Sequence, residues 1–336
     1  MKRKIASLSL AVFAFCLGSC LGLSQAAAQA HVSVGMASGV NELTSFVAAE
    51  KGFFAEEGLA VDRKPIARGN LAVEAIASGS MQFAEVSDVV FFTAVTHGIP
   101  LIALGDGSRG FTGKMIAAPD HRPVKTLADM TGDHIGLQVG TGLQGVFLML
   151  LEKQGLKESD FKISNVRVVD MPTAMASSPP AFDAVLGWDP MMTRIVEAGK
   201  GKEVISAQQF QQMAGITYPL LLVAAKPYID ANHDTVQHFV NAYAKAQKYI
   251  REHPDDALRM YTAIVHQAGA NLDEAVIKNM LFEVPKFIGV NIIPSDWTEL
   301  ARSRDFLFKT GKIQAQPDLK AIIDPSFGDA AEASIK

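Results

Sequence analysis

Apolar and polar positions along the chain change period again and again. His31 to Gly35 alternates as a short strand does, while Asn41 to Glu50 carries Leu43, Phe46, Val47 and Ala48 near helical spacing. A second strand is expected from Val61 towards Ile66, then a helix over 70–78 that stops near Gly79. Phe83–Val86 reads as a strand, 88–97 as a helix and Leu101–Leu104 as a strand. A second set begins after Pro123. It comprises a short helix Thr126–Met130, a strand Ile135–Val139, a helix Gly145–Gly155, and strands Val166–Val169 and Ala184–Gly187. Short strands alternating with helices of about ten residues predict parallel βαβ units and an α/β architecture.

Two apolar segments, Lys114–Ala118 and Pro219–Ala225, flank the second set. They would carry the chain into a second lobe and back. The expected division is one lobe of residues 31–114 and 220–336, with C-terminal helices, and another of residues 115–219. In the helical remainder, Thr235–Glu252 places Val236, Phe239, Val240, Tyr243 and Ile250 on one stripe, and Pro254 ends it. Asp296 with Glu299 reads as a capping box opening the last helix.

The N-terminus changes the picture. Lys2-Arg3-Lys4 precedes an apolar stretch from Leu8 to Leu23, and Ala28-Gln29-Ala30 is a small-x-small cleavage site. This is the pattern of a signal peptide over residues 1–30, with His31 the first mature residue. Lipoprotein processing at Leu17-Gly18-Ser19-Cys20 is the alternative. Either way the protein is expected outside the cytoplasm, in the periplasm of a bacterial host. Both cysteines, Cys16 and Cys20, lie in this segment. A mature chain cut after Ala30 has no disulfide framework, thiolate metal site or cysteine nucleophile.

Removing the three leader cations leaves 28 basic against 35 acidic groups. So acidic a chain has no footprint for nucleic acid or an anionic membrane. The sequence also lacks a G-x-S-x-G elbow, an H-E-x-x-H pair, a Walker loop and an EF-hand loop. The histidines are scattered, and no metal or cofactor is expected.

The sharpest motif is Gly140-Thr141-Gly142-Leu143-Gln144-Gly145, between an expected strand and an expected helix. With Asp170 ending a later strand, it matches a dinucleotide fingerprint, and an NAD-dependent enzyme is one reading. The physics is broader, because amides at a helix start favour any sulfonate, carboxylate or phosphate. Trp188 follows a strand and would floor a cleft; Asp189 would orient a ligand or cap the next helix. Ser38-Gly39, Gly69-Asn70 and Ser87-Asp88 lie at other strand-to-helix turns.

Together these pieces resemble a known family, the periplasmic solute-binding proteins of ABC importers for nitrate, sulfonate, taurine and pyrimidine precursors. Lys51-Gly52-Phe53-Phe54-Ala55-Glu56-Glu57-Gly58-Leu59 is similar to the family's KGFF-x-EEGL segment. Ala77–Phe83 resembles its A-S-G-x-x-D-F stretch, with Gln82 in place of the acid. Gly98-Ile99-Pro100, Lys125–Gly132 and Trp188-Asp189-Pro190 match its G-I-P, K-T-x-A-D-L-K-G and W-E-P segments. Ser177-Ser178-Pro179-Pro180 departs from the family by interrupting a helix of the second lobe.

The resemblance implies a two-lobed type II periplasmic binding fold, hinged on two crossover strands, with the ligand cleft between lobes. It places Ser38, Gly39, Gly69, Asn70, Ser87, Asp88, Thr141, Gly142, Trp188 and Tyr218 in the ligand loops. The implied function is non-catalytic capture of a small organic anion and delivery to an inner-membrane permease and its ATPase, by a monomer. Asp88 and Asp189 would instead suit a ligand with donor groups, such as a pyrimidine precursor.

Overall fold

The computed structural model describes residues 29–335 apart from 38, 41, 42 and 67. The expected signal peptide, including Cys16 and Cys20, falls almost wholly outside them, and so does Ser38. Ten strands are described: β1 (Ala30–Ala37), β2 (Leu59–Ile66), β3 (Phe83–Ser87), β4 (Leu101–Arg109), β5 (Gly113–Ala117), β6 (His134–Leu137), β7 (Lys162–Asn165), β8 (Ala184–Trp188), β9 (Lys202–Ile205) and β10 (Pro219–Ala225). They form two five-stranded sheets, ordered β2-β1-β3-β10-β4 and β7-β6-β8-β5-β9.

Each sheet is mixed. The β1–β2, β1–β3, β6–β7 and β6–β8 pairs are parallel, as βαβ units require. β10 is antiparallel to both β3 and β4, and β5 is antiparallel to both β8 and β9. These two strands follow the passages between sheets, so each enters its sheet against the direction of the local units. The first passage runs through Gly110–Thr112 and the second through Gly215–Tyr218. The Gly110 amide donates to both the Thr217 and Tyr218 carbonyls, at 3.0 and 3.2 Å, joining the passages.

Period-two alternation builds a core on both faces of the first sheet. Phe83, Leu222 and Ala224 pack into a cluster with the helix His233–Glu252, whereas Ala84, Val86, Leu221 and Val223 face the opposite cluster. That helix stacks Phe239 on Phe83, ring centroids 3.8 Å apart and nearly parallel. In the second sheet, Met115, Ala117 and Leu186 face one cluster, while Ile116 and Val185 face another that includes Met171, Met175, Met191 and Met192.

Several expectations need correction. Val166–Val169 is not a strand: β7 ends at Asn165 and Val168–Asp170 forms a short 3-10 turn. Val168 turns inward, but Arg167 and Asp170 pair with each other at the surface, so the segment has no second buried face. The second-lobe helix begins at Gly142, three residues early, because the glycine-rich run supplies its first turn. β9 and the helix Ala207–Ala214 were not foreseen, since Lys202-Glu203-Val204-Ile205 alternates too briefly. Asp296 is not the residue before the helix Pro294–Lys309 but the third residue of its first turn, accepting the Ile293 amide at 2.9 Å, and further helices follow it. As the Pro179-Pro180 pair requires, the helix Met171–Ala176 stops before Ser177.

Candidate functional site

A cleft of about 690 Å3, counting its open mouth, lies between the two sheets. Strand ends and helix starts from both lobes line it, as do both passages, through Gly110–Gly113 and Tyr218. Three helices begin there. Gly69–Ala77 follows Arg68, Asp88–Thr96 follows Ser87, and Gly142–Lys153 follows Thr141. The first amides of a helix have no partner within it, and the helix dipole makes its start electropositive. Two of these starts come from the first lobe and one from the second.

The local sequence explains each start. Ser87 is extended and accepts the Val90 amide on its hydroxyl at 3.4 Å, an N-cap. Thr141 turns its hydroxyl back to the Gln138 carbonyl at 2.7 Å. The Gly140 amide is held by the Gln144 side chain at 2.9 Å, which closes the turn. Gly142 and Gly145 serve close approach between lobes. A Cβ on Gly142 would fall 2.6 Å from the Ser87 Cβ and run into the Tyr218 hydroxyl, and one on Gly145 would strike Val89.

Of the residues singled out from sequence, Gly69, Ser87, Thr141, Gly142, Trp188 and Tyr218 line this one cleft. Gly39 flanks it, so close to the second lobe that a Cβ there would lie 2.8 Å from the Asp189 carbonyl oxygen and 3.6 Å from Trp188. Asn70 is one residue beyond the lining, with its Oδ1 buried and without a hydrogen-bond donor. The two aspartates are turned to other work. Asp88 is buried, accepts its neighbour Val89's amide at 2.8 Å and has Ser303 close by. Asp189 caps the following helix through Thr193, at 3.0 Å to the amide and 2.7 Å to the hydroxyl, and ion-pairs with Lys114 at 2.8 Å.

Sequence reasoning passed over Arg68, Glu85, Phe111 and Thr112, which also line the cleft. Arg68 carried a signal, because a cation immediately before a helix start opposes the dipole and is out of place unless an anion joins it. Its half-buried guanidinium has no hydrogen-bond or ion-pair partner among the described residues. Glu85 carried one too, as an acid inside the apolar strand Phe83–Val86. Phe111 packs edge-on against Tyr218, ring centroids 5.1 Å apart.

Burial, reinforced by Asp88, pushes the Tyr218 hydroxyl far above the usual phenol range, so it stays protonated as a hydrogen-bonding group. Burial also raises the Asp88 carboxyl, against the opposing pull of its surroundings, Ser303 and the Val89 amide among them. Tyr218 holds a left-handed backbone, φ 51°, an uncommon conformation for a residue with a side chain.

The glycine-rich motif is not completed as a dinucleotide site. Asp170, the expected ribose partner, pairs with Arg167 at 2.6 Å on the exterior and does not line the cleft. No histidine or cysteine lines the cleft among the described residues, and none of these residues form a metal-ligating cluster. No described helix is long and apolar enough to cross a membrane.

Two mixed α/β lobes, two passages between them and a cleft at the joint define the fold of periplasmic solute-binding proteins. An alkanesulfonate-binding protein of Xanthomonas axonopodis pv. citri, solved bound to MOPS, superposes with a TM-score of 0.73 at 15% identity, over 89% of this chain and 99% of that one. The chain belongs to the NMT1/THI5-like family, whose model matches residues 40–257. A Bacillus subtilis (strain 168) relative, provisionally named for binding aliphatic sulfonates, is 22% identical over 287 residues, covering 84% of this chain and 82% of that one. The desulfurization enzyme DSZB shares the fold at a TM-score of 0.66 and 13% identity, over 92% of this chain and the whole of that one.

Proposed function

We propose that the protein is an extracytoplasmic solute-binding receptor of an ABC import system that captures a small organic anion in the inter-lobe cleft. One observation carries the reading: three helix starts and the partnerless Arg68 guanidinium converge on a single cleft, from both lobes. Amides and a guanidinium at one point recognise a sulfonate or carboxylate by charge-assisted hydrogen bonds. Trp188, Phe111 and Tyr218 give the rest of the ligand an aromatic wall. This wall favours a second form of the same reading, in which the body of the ligand is a ring such as a pyrimidine precursor.

The lobes are residues 29–109 with 219–335, and residues 113–214, hinged at Gly110–Thr112 and Gly215–Tyr218. Ligand contacting both lobes shifts the population towards the closed form. The closed receptor, a monomer, then meets a membrane permease and its ATPase. The binding proteins among the chain's structural neighbours and relatives support a non-catalytic role.

A thermal-shift screen with alkanesulfonates, nitrate, aromatic carboxylates and pyrimidines tests this. A ligand at 100 times its dissociation constant adds about 2.7 kcal/mol of stability. Arg68→Ala should abolish the shift given by an anion while leaving the ligand-free melting temperature unchanged. No shift from any anion, or an undiminished shift in Arg68→Ala, rejects the reading.

A further inference from the structure

The helix Gly142–Lys153 carries two faces that need cover. Leu143, Val146, Phe147, Leu150 and Leu151 face the core of its own lobe. Gly145, Leu148, Met149 and Glu152 recur at i, i+3, i+4 and i+7, the spacing of a second stripe. A lobe standing alone would leave that stripe in water. The first lobe covers it. Gly145 leaves no room for a Cβ beside Val89 of the helix Asp88–Thr96, and Leu148 and Met149 pack against the first-lobe cluster that holds Phe306 and Leu307. Beyond them Lys309 donates to Glu152, and Lys312 pairs with Glu158 at 3.7 Å. The Gln144 side chain steadies Glu158, donating to it at 2.9 Å. Beside the second passage, Arg302 of the helix Pro294–Lys309 donates to the Ala214 carbonyl at 3.3 Å. Gly145 to Glu152 spans about 10 Å of helix, and none of these seam residues lines the cleft.

We propose that this seam is a conformational bias built into the fold: it holds most of the ligand-free protein with its lobes together, and so sets ligand affinity without touching ligand. The inference rests on the receptor reading above and concerns how that same cleft is governed. The seam coexists with lobe contacts at the cleft, Gly142 against Ser87 and Gly39 beside Asp189. Both sets of contacts therefore belong to one arrangement of the lobes. A rotation about the passages that parted the cleft would also draw Leu148 and Met149 off the first lobe and return apolar surface to water. The two ion pairs are exposed and each adds little. The apolar stripe thus carries the bias, and the charges fix its register. The apparent dissociation constant is the intrinsic one divided by the closed fraction, so a weaker seam weakens every ligand by the same factor, whatever its chemistry.

Residues 31–336 contain no cysteine, so spin labels attach only where cysteines are introduced. Glu74→Cys in the first lobe and Thr173→Cys in the second are exposed and lie outside both the cleft lining and the seam. Pulsed electron paramagnetic resonance of the ligand-free, doubly labelled protein should show one dominant distance, that of the lobes together. Adding Leu148→Ala with Met149→Ala should move weight to a longer distance. Lys309→Glu with Lys312→Glu should do so more weakly, and further addition of Glu152→Lys and Glu158→Lys should restore the parent distribution. Melting curves verify that each variant is folded. In calorimetric titrations with one alkanesulfonate and one aromatic carboxylate, the double alanine variant should weaken both by the same factor, roughly three- to tenfold. A parent protein already open without ligand overturns the inference, as does a distance unchanged or shortened in the folded double alanine variant. Affinities that stay the same, tighten, or change unequally for the two probes overturn it too. If no anion binds at all, the capture reading falls, and the ligand-free distances still decide the seam.

Discussion

Gly142, at a helix start of the second lobe, lies against the Tyr218 hydroxyl so closely that the space where its Cβ would stand is already occupied. Ser87 of the first lobe fills the other side of the same space, with its Oγ 2.8 Å from the Cβ position. One glycine thus lets two lobes and a passage meet at the cleft. Gly142→Val should force Ser87 and Tyr218 apart. The expected outcome is a folded protein by circular dichroism whose thermal shift with the best anion probe is lost. An unchanged shift would remove this contact from the binding site.

Lys114 and Asp189 form a buried pair in the second lobe, with side chains 15% and 7% exposed. Burial works against the Lys114 ammonium, but Asp189 and Glu203 outweigh it and hold its pKa above the ordinary lysine value. Lys114→Met leaves Asp189 with only its Thr193 donors. We expect a loss of about 3 kcal/mol, seen as a lower urea midpoint at unchanged slope.

Asp256 ties the start of the helix Pro254–Gln267 to Lys51 at 2.6 Å. Hydrogen bonds from Lys51 and Tyr249 lower its pKa from 3.8 to about 2. A carboxyl whose folded pKa is depressed contributes stability that is full above its unfolded value and is lost as pH falls towards the folded one. Asp256→Asn should therefore cost about 1 kcal/mol at neutral pH, a figure reduced for partial exposure. The gap between variant and parent should close as pH falls from 3.8 to about 2. Melting curves across that range test the sign.

Phe239 stacks on Phe83 and also touches Phe54 and Tyr243, at 5.4 and 4.9 Å between ring centroids. Phe239→Ala should cost about 3–5 kcal/mol by opening a cavity between the first sheet and its long helix. The cleft is built elsewhere, so a variant that remains folded should keep its anion-induced shift.

What sequence revealed was decided by how local each signal is. β1, β3 and β10 are short apolar runs between clear breaks, and their bounds came out within about two residues. The family-like segment Lys51–Leu59 is scaffolding: Lys51 holds Asp256, Phe54 stacks on Phe239, and Glu56 and Glu57 hold Lys245. Such a motif announces a fold while standing apart from the site. Asp88 and Asp189 were legible as helix-start acids but not as turned away, because Ser303 and Lys114 approach them from distant parts of the chain. Arg68 and Glu85 became site residues only when the strand order placed β2 and β3 on either side of β1. The exterior position of Asp170 depended on where β7 stops, and one short strand cannot signal its own end.

The Gly110 amide, shared between the Thr217 and Tyr218 carbonyls, makes two chain connections into one fulcrum. Rotation of either lobe then pivots beside the cleft floor, where Phe111 and Tyr218 stand. Gly39 meets Asp189 close to that pivot, because the neighbouring Trp188 pairs with Gly113 directly after the first passage. A rotation that strained one passage would therefore be carried to the other through this shared amide.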